Sequence, residues 1–201
     1  MRVSRIQAEE NRQKVIDVAS RLFRERGFDG IGLKDLMEGA GFTQGAFYKQ
    51  FASKDDLAAQ ASRRAMASAF NRLSSAAAAN PDDPLGAIIA LYLSTEHREE
   101  RLDGCPVAAL GSDAARQGSD VKASFEAGIR EYLEMLGLCV AEAEGKDNAC
   151  GQAMAILSTM VGAMVLSRAV NDEQMSKQFL HAAAKSVMGW SAGAAQKGQL
   201  R

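Results

Sequence analysis

Between Gly41 and Leu57 the chain reads GFTQGAFYKQFASKDDL, and the side chains there best suited to grip a partner are Gln44, Tyr48 and Lys49. An amide, a phenol and an ammonium group are hydrogen-bond donors for phosphate oxygens or base edges. They are not a nucleophile with its base. Phe47 and Phe51 are four residues apart, so they share one helical face and point inward, while Gln44, Tyr48 and Lys49 fall on the other. Gly45 and Ala46 keep the start of that helix slim, which leaves room for another surface to approach.

Three elements must hold this segment. Val15, Ile16, Ala19, Leu22 and Phe23 make the apolar stripe of a first helix that stops at Gly27. Leu33, Leu36, Met37 and Ala40 make a shorter second helix, closed by Gly41, whose missing Cβ permits the left-handed turn a helix end needs. The spacing predicts a third helix over Thr43 to Phe51, with Thr43 as N-cap. Ser53-Lys54-Asp55-Asp56 then reads as a capping box opening a long helix to about Ala79. Helix, tight turn and second helix with a polar outer face is a helix-turn-helix, whose second helix enters the major groove of DNA. Spacing alone also fits an ordinary amphipathic rim.

Helical periodicity continues through the remainder of the 201 residues without a useful period-2 stretch, so the expected fold class is all-α. Asn80-Pro81-Asp82-Asp83-Pro84 breaks the chain before helices expected at Leu85 to Glu96, Cys105 to Leu110, Asp120 to Ala143, Asp147 to Val170 and Asp172 to Ala194. Residues 1–54 carry ten Lys or Arg against seven Asp or Glu, net +3, and residues 55–201 carry fourteen against eighteen, net −4. A basic head on an acidic body suits polyanion contact confined to the head. Cys105, Cys139 and Cys150 form no CxxC pair, which fits a reducing, cytoplasmic setting and no structural zinc. The N-terminus lacks the apolar run of a secretory signal. Asn148 to Ser167 is free of charge, but Gln152, Ser158, Thr159 and two glycines favour a protein-buried helix over a membrane span.

Gly27-Phe28, the Leu33 to Gly41 helix, Thr43 to Phe51 and Ser53-Lys54-Asp55-Asp56-Leu57 together resemble the N-terminal DNA-binding domain of TetR-family transcriptional regulators, over roughly residues 12–57. The resemblance implies a DNA-binding domain at 1–54 and an effector-binding and dimerisation domain at 55–201. It implies phosphate contacts from Tyr48 and Lys54, base and adjoining backbone contacts from Thr43, Gln44, Gly45, Ala46 and Lys49, and a backbone contact from Lys34. Many members have Ser or Thr at the start of the second helix; this chain has Gly32 and Leu33, so a hydroxyl contact to phosphate is missing there.

The partner implied is a double-stranded palindromic operator bound by a homodimer, with repression as the expected polarity and activation as the alternative. The resemblance places the dimer interface on the last two helices, with Met154, Leu157, Val161, Met164 and Val165 on one and Phe179, Ala183, Val187 and Trp190 on the other. The same residues also suit an intrachain core. A small-molecule effector chamber is implied at Leu91, Tyr92, Thr95, Phe125, Ile129, Tyr132, Leu133 and Met160, all of which serve equally as plain core. Asp103-Gly104-Cys105-Pro106 resembles a family branch with Gly-Cys at this point, in some members of which a cysteine responds to electrophiles or oxidants; the plainer reading of Cys105 is a small, buried helix-start residue. No cofactor or metal is expected, and catalysis is not: His97 and His181 lack ligand spacing, and no phosphate loop or nucleophile elbow appears. The alternative is an all-helical protein-binding adaptor.

Overall fold

The computed structural model describes the backbone of residues 4–144 and 149–198, and the side chains of 4–141 and 149–189. Among the described residues every regular element is helical: α1 (Arg5–Arg26), α2 (Leu33–Gly39), the 3-10 helix η1 (Gln44–Lys49), α3 (Lys54–Ala78), α4 (Pro84–Tyr92), α5 (Thr95–Glu99), α6 (Pro106–Ala114), α7 (Ser119–Glu144), α8 (Ala149–Ala169) and α9 (Glu173–Gly198). The contacts fall into two compact units, one of residues 1–69 with 101–128 and one of 70–100 with 129–201, so α3 and α7 run through both. The division expected after residue 54 falls at the first turn of α3, inside the first unit.

In the first unit the stripe of α1 is buried at Val15, Ile16, Ala19 and Phe23. Leu36 and Met37 of α2 pack there too, with Phe28, Phe47 and Phe51. Gly41 sits at φ 82°, its N–H donating to the Glu38 carbonyl while the Phe42 N–H reaches the Met37 carbonyl at 2.8 Å. These paired bonds stop α2 and reverse the chain. The Ser53 hydroxyl accepts from the Asp56 N–H at 3.0 Å, but the Asp56 carboxylate reaches back to the Ala52 N–H, one residue beyond the position a strict capping box would use. Gly128 of α7 is required by a close approach: a Cβ there would lie 2.6 Å from the Met66 side chain of α3.

α6 is docked on α1. The buried Arg24 guanidinium donates to the Gly104 carbonyl at 2.9 Å, and Asp103 pairs with Arg21 at 3.0 Å. Both bonds hold the strand of chain that enters α6 at Pro106.

In the second unit the helix expected over Leu85 to Glu96 is two helices, because Ser94 interrupts it. Its hydroxyl donates to the Leu91 carbonyl and accepts from the His97 N–H at 3.0 Å, ending one helix and capping the next. Two arginines then fasten the short α5. Arg98 makes a forked pair with Glu173 at 2.8 and 3.1 Å, and Arg168 donates to the carbonyls of His97 and Arg98 at 2.7 and 2.9 Å. α8 packs on α9, and the Ser176 hydroxyl donates to the Ser167 carbonyl at 2.6 Å.

Candidate nucleic-acid interface

The segment Gln44–Lys49 is a single 3-10 helix, where the sequence predicts two to three α-helical turns over Thr43 to Phe51. Thr43 stands extended at its N-cap position but its hydroxyl makes no capping bond. The tighter coil still turns Phe47 inward. The Ala46 N–H bonds the Thr43 carbonyl at 3.0 Å and the Gln50 N–H the Phe47 carbonyl at 2.8 Å, both in the i to i+3 pattern.

Phe47 is fully buried and stacks on Phe51 at 5.5 Å between ring centroids. The Tyr48 ring stands edge-on to Phe47 at 5.1 Å and is 71% exposed, so it is braced from beneath and open above. Thr43, Gln44, Gly45 and Lys49 are exposed around it, and Ala46 is half-buried. A side chain built at Gly45 would meet nothing within 4 Å. The chain's own packing therefore does not require glycine there.

Two lysines flank this face in sequence. Lys54 opens α3 and is half-buried; Lys34 on α2 is exposed, with Glu38 one turn on at 3.9 Å. α2 packs directly on η1. Two basic side chains that the sequence did not single out come from α1: Lys14, whose ammonium lies 5.7 Å over the Phe42 ring, and Arg12, beside Phe51. Nothing in their spacing marks them, because only the fold carries α1 past the turn after α2.

Residues 15–61 match the family model described as bacterial regulatory proteins, tetR family. That span takes in α1, α2, η1 and the start of α3. The head is a TetR-family DNA-binding domain. The TetR-family likeness extends beyond it. The HTH-type transcriptional repressor NemR of Escherichia coli K12 is 24% identical over 144 residues, 70% of this chain and 71% of that protein. The HTH-type transcriptional regulator AcrR of Shigella flexneri is 41% identical over 56 residues, covering 28% of this chain and 26% of its own. Among solved structures, the reduced form of E. coli NemR superposes with a TM-score of 0.75 at 22% identity, covering 90% of this chain and 97% of that one. A TetR transcriptional regulator from Chloroflexus aurantiacus gives a TM-score of 0.77 at 24% identity, covering 91% and 96%. These superpositions show that the fold is shared over about nine-tenths of the chain.

Beyond the TetR-family head, the residues expected to form an effector chamber are distributed over both units. Tyr92, Tyr132 and Met160 are buried in the second, where Tyr132 stacks near Phe70 at 6.3 Å. Thr95, Ile129 and Leu133 are half-buried, and Leu91 is exposed. Phe125 and Cys105 belong to the first unit, Phe125 lying edge-on to Phe28 at 6.5 Å and Cys105 buried at the N-cap of α6. An open groove of about 570 Å³ is lined by Glu173, Gln174, Lys177, Gln178 and His181 on α9, none of them in the expected set. Next to Tyr92, His97 is buried with its Nδ1 2.6 Å from the Tyr92 carbonyl. Burial holds its pKa below the ordinary value, against the raising effect of that carbonyl. Among the described residues no three His, Cys, Asp or Glu gather as a metal site.

Of the residues expected at a dimer interface, Leu157, Met164, Ala183 and Val187 are buried within the chain itself, because α8 and α9 turn these faces to each other and to their own unit. Val161 and Phe179 are half-buried, and Trp190 lies outside the described side chains. Met154 and Val165 face outward, 51% and 43% exposed, together with Leu166 at 48%, which is outside the expected set.

Proposed function

We propose that the protein is a homodimeric, cytoplasmic transcriptional repressor that reads a palindromic operator through η1 and is released by a small-molecule effector. The observation that carries this reading is the exposed Gln44, Gly45, Tyr48 and Lys49 face of η1, pinned from behind by Phe47 and Phe51. The Gln44 amide suits the N6 and N7 edge of adenine, and Lys49 suits guanine or a phosphate. Tyr48 and Lys54 hold phosphates, with Lys34 and Thr43 as backbone contacts and Gly45 and Ala46 letting the duplex come close.

The outer face of α8 supports the dimer. Met154, Ala155, Ser158, Val165 and Leu166 are exposed and uncharged, and α8 is apolar and long enough to cross a bilayer by composition. A second copy of the chain is the cover this face suits, since the opposite face of α8 already packs within its own unit. Tyr92, Thr95, Ile129, Tyr132, Leu133 and Met160 are the effector-facing residues of the second unit; an effector favouring the conformer that fits DNA poorly shifts the population off the operator. Cys105, a buried thiol at the N-cap of α6, is the residue for a second, electrophile or oxidant input.

Selection of bound genomic fragments by the purified protein, followed by binding titrations, tests the reading. A DNA-reading head loses affinity by orders of magnitude between roughly 50 and 200 mM salt, whereas an adaptor's protein contact responds far less. A protein that enriches no fragment overturns the proposal, as does full affinity in both Tyr48→Ala and Lys54→Ala.

A further inference from the structure

We infer that Arg12 of α1 is a positioning residue for the recognition segment: it sets how η1 is presented to DNA without itself touching DNA. The inference rests on the DNA-binding reading above.

Arg12 joins three elements. Its Nε donates to the carbonyl of Gln50 at 3.4 Å, where η1 ends; its Nη2 donates to the Gln60 amide oxygen on α3; and its guanidinium carbon lies 5.2 Å over the Phe51 ring. The remaining Nη1 faces Glu9 at 3.8 Å. All three nitrogens are thus directed at the chain. The side chain is 31% exposed, and both of its hydrogen bonds run to the chain, one to each side of the turn that follows η1.

The strap continues beyond Arg12. The Gln60 amide nitrogen donates to Asp56 at 2.7 Å, and the other Asp56 oxygen accepts from the Ala52 N–H at 3.1 Å. Arg12, Gln60 and Asp56 therefore bracket the turn from Gln50 to Ser53 that joins η1 to α3. A six-residue 3-10 helix has little stability of its own, so its attitude is set by such external fastenings. Phe47 and Phe51 fix its depth and α2 packs beside it, while its C-terminal end is fastened by Arg12. A planar guanidinium bonded through both Nε and Nη2 holds η1 and α3 at a set angle, which a lysine ammonium cannot reproduce.

The test compares Arg12→Ala, Arg12→Lys, Gln60→Ala and the double variant Arg12→Ala/Gln60→Ala on a DNA fragment selected by the unmodified protein, and on unselected DNA, over a salt series. Expected are a loss of about tenfold in affinity for the selected fragment in each single variant, Arg12→Lys included, and no further loss in the double. The slope of log affinity against log salt stays unchanged, and so does binding to unselected DNA. Thermal unfolding is measured alongside; should Arg12→Ala fail to fold, Gln60→Ala, which leaves the arginine in place, carries the test. A slope reduced by about one with rescue by Arg12→Lys overturns the inference in favour of a direct phosphate contact. Additive losses or unchanged affinities also overturn it while leaving the DNA reading intact. Unmodified protein that selects no fragment overturns both.

Discussion

Helix η1 and helix α8 each commit one face to the chain's own core and leave the other bare, but the bare faces differ in chemistry. On η1 the inner face is Phe47, with Phe51 following, and the outer face carries an amide, a phenol and an ammonium group. On α8 the inner face is Ala153, Ile156, Leu157, Met160, Ala163 and Met164, and the outer face is Met154, Ala155, Ser158, Val165 and Leu166, with no charge. A short element with a polar outer face suits a hydrated polyanion, because each contact there exchanges water for a charged oxygen. A long element apolar on both sides suits a second protein surface, because its gain comes from removing area from water. The inner face thus reports the fold, and the outer face reports the partner.

The largest test of this contrast removes the inner anchor of η1. Phe47→Ala should destabilise the first unit by about 3–5 kcal/mol, seen in thermal or denaturant unfolding, and abolish DNA binding with it. Unchanged stability would show that η1 is held by other means. Val165→Asp, placed on the outer face of α8, should leave the helical signal intact yet yield monomers in sedimentation and lose affinity for a palindromic fragment.

Gly128→Val probes packing unrelated to either partner: the added side chain meets Met66 and should cost roughly 1–3 kcal/mol, leaving the salt dependence of DNA binding unaltered. A smaller effect is expected for Tyr48→Ala and Lys54→Ala, each lowering operator affinity about tenfold with unfolding unchanged, and Lys54→Ala reducing the salt slope by about one.

The smallest concerns His97. Its folded pKa is depressed below 6.5 by burial, so the unfolded chain binds the proton more readily. The stability at stake is fully present above pH 6.5 and is lost as pH falls below that value towards the lowered folded one. His97→Gln should flatten this part of the stability profile between pH 7.5 and 5.5, measured by unfolding at each pH.

By itself the sequence determined the elements and their inward faces. The stripe of α1, the stop at Gly27, the reversal at Gly41 and the break before Pro84 all follow from helical periodicity and backbone chemistry, which act between residues close along the chain. The inward turn of Phe47 and the outward turn of Tyr48 were legible for the same reason. Tertiary structure decided what depends on distant partners. That η1 is a 3-10 helix and not the expected α-helix was settled in the folded chain, where it packs on α2. The division of α8 into covered and bare faces could not be read from a helix that is apolar all round, so Leu157 and Met164 looked no different from Met154 and Val165. Arg12 meets Gln50 and Gln60, thirty-eight and forty-eight residues away, and no local pattern encodes such a meeting.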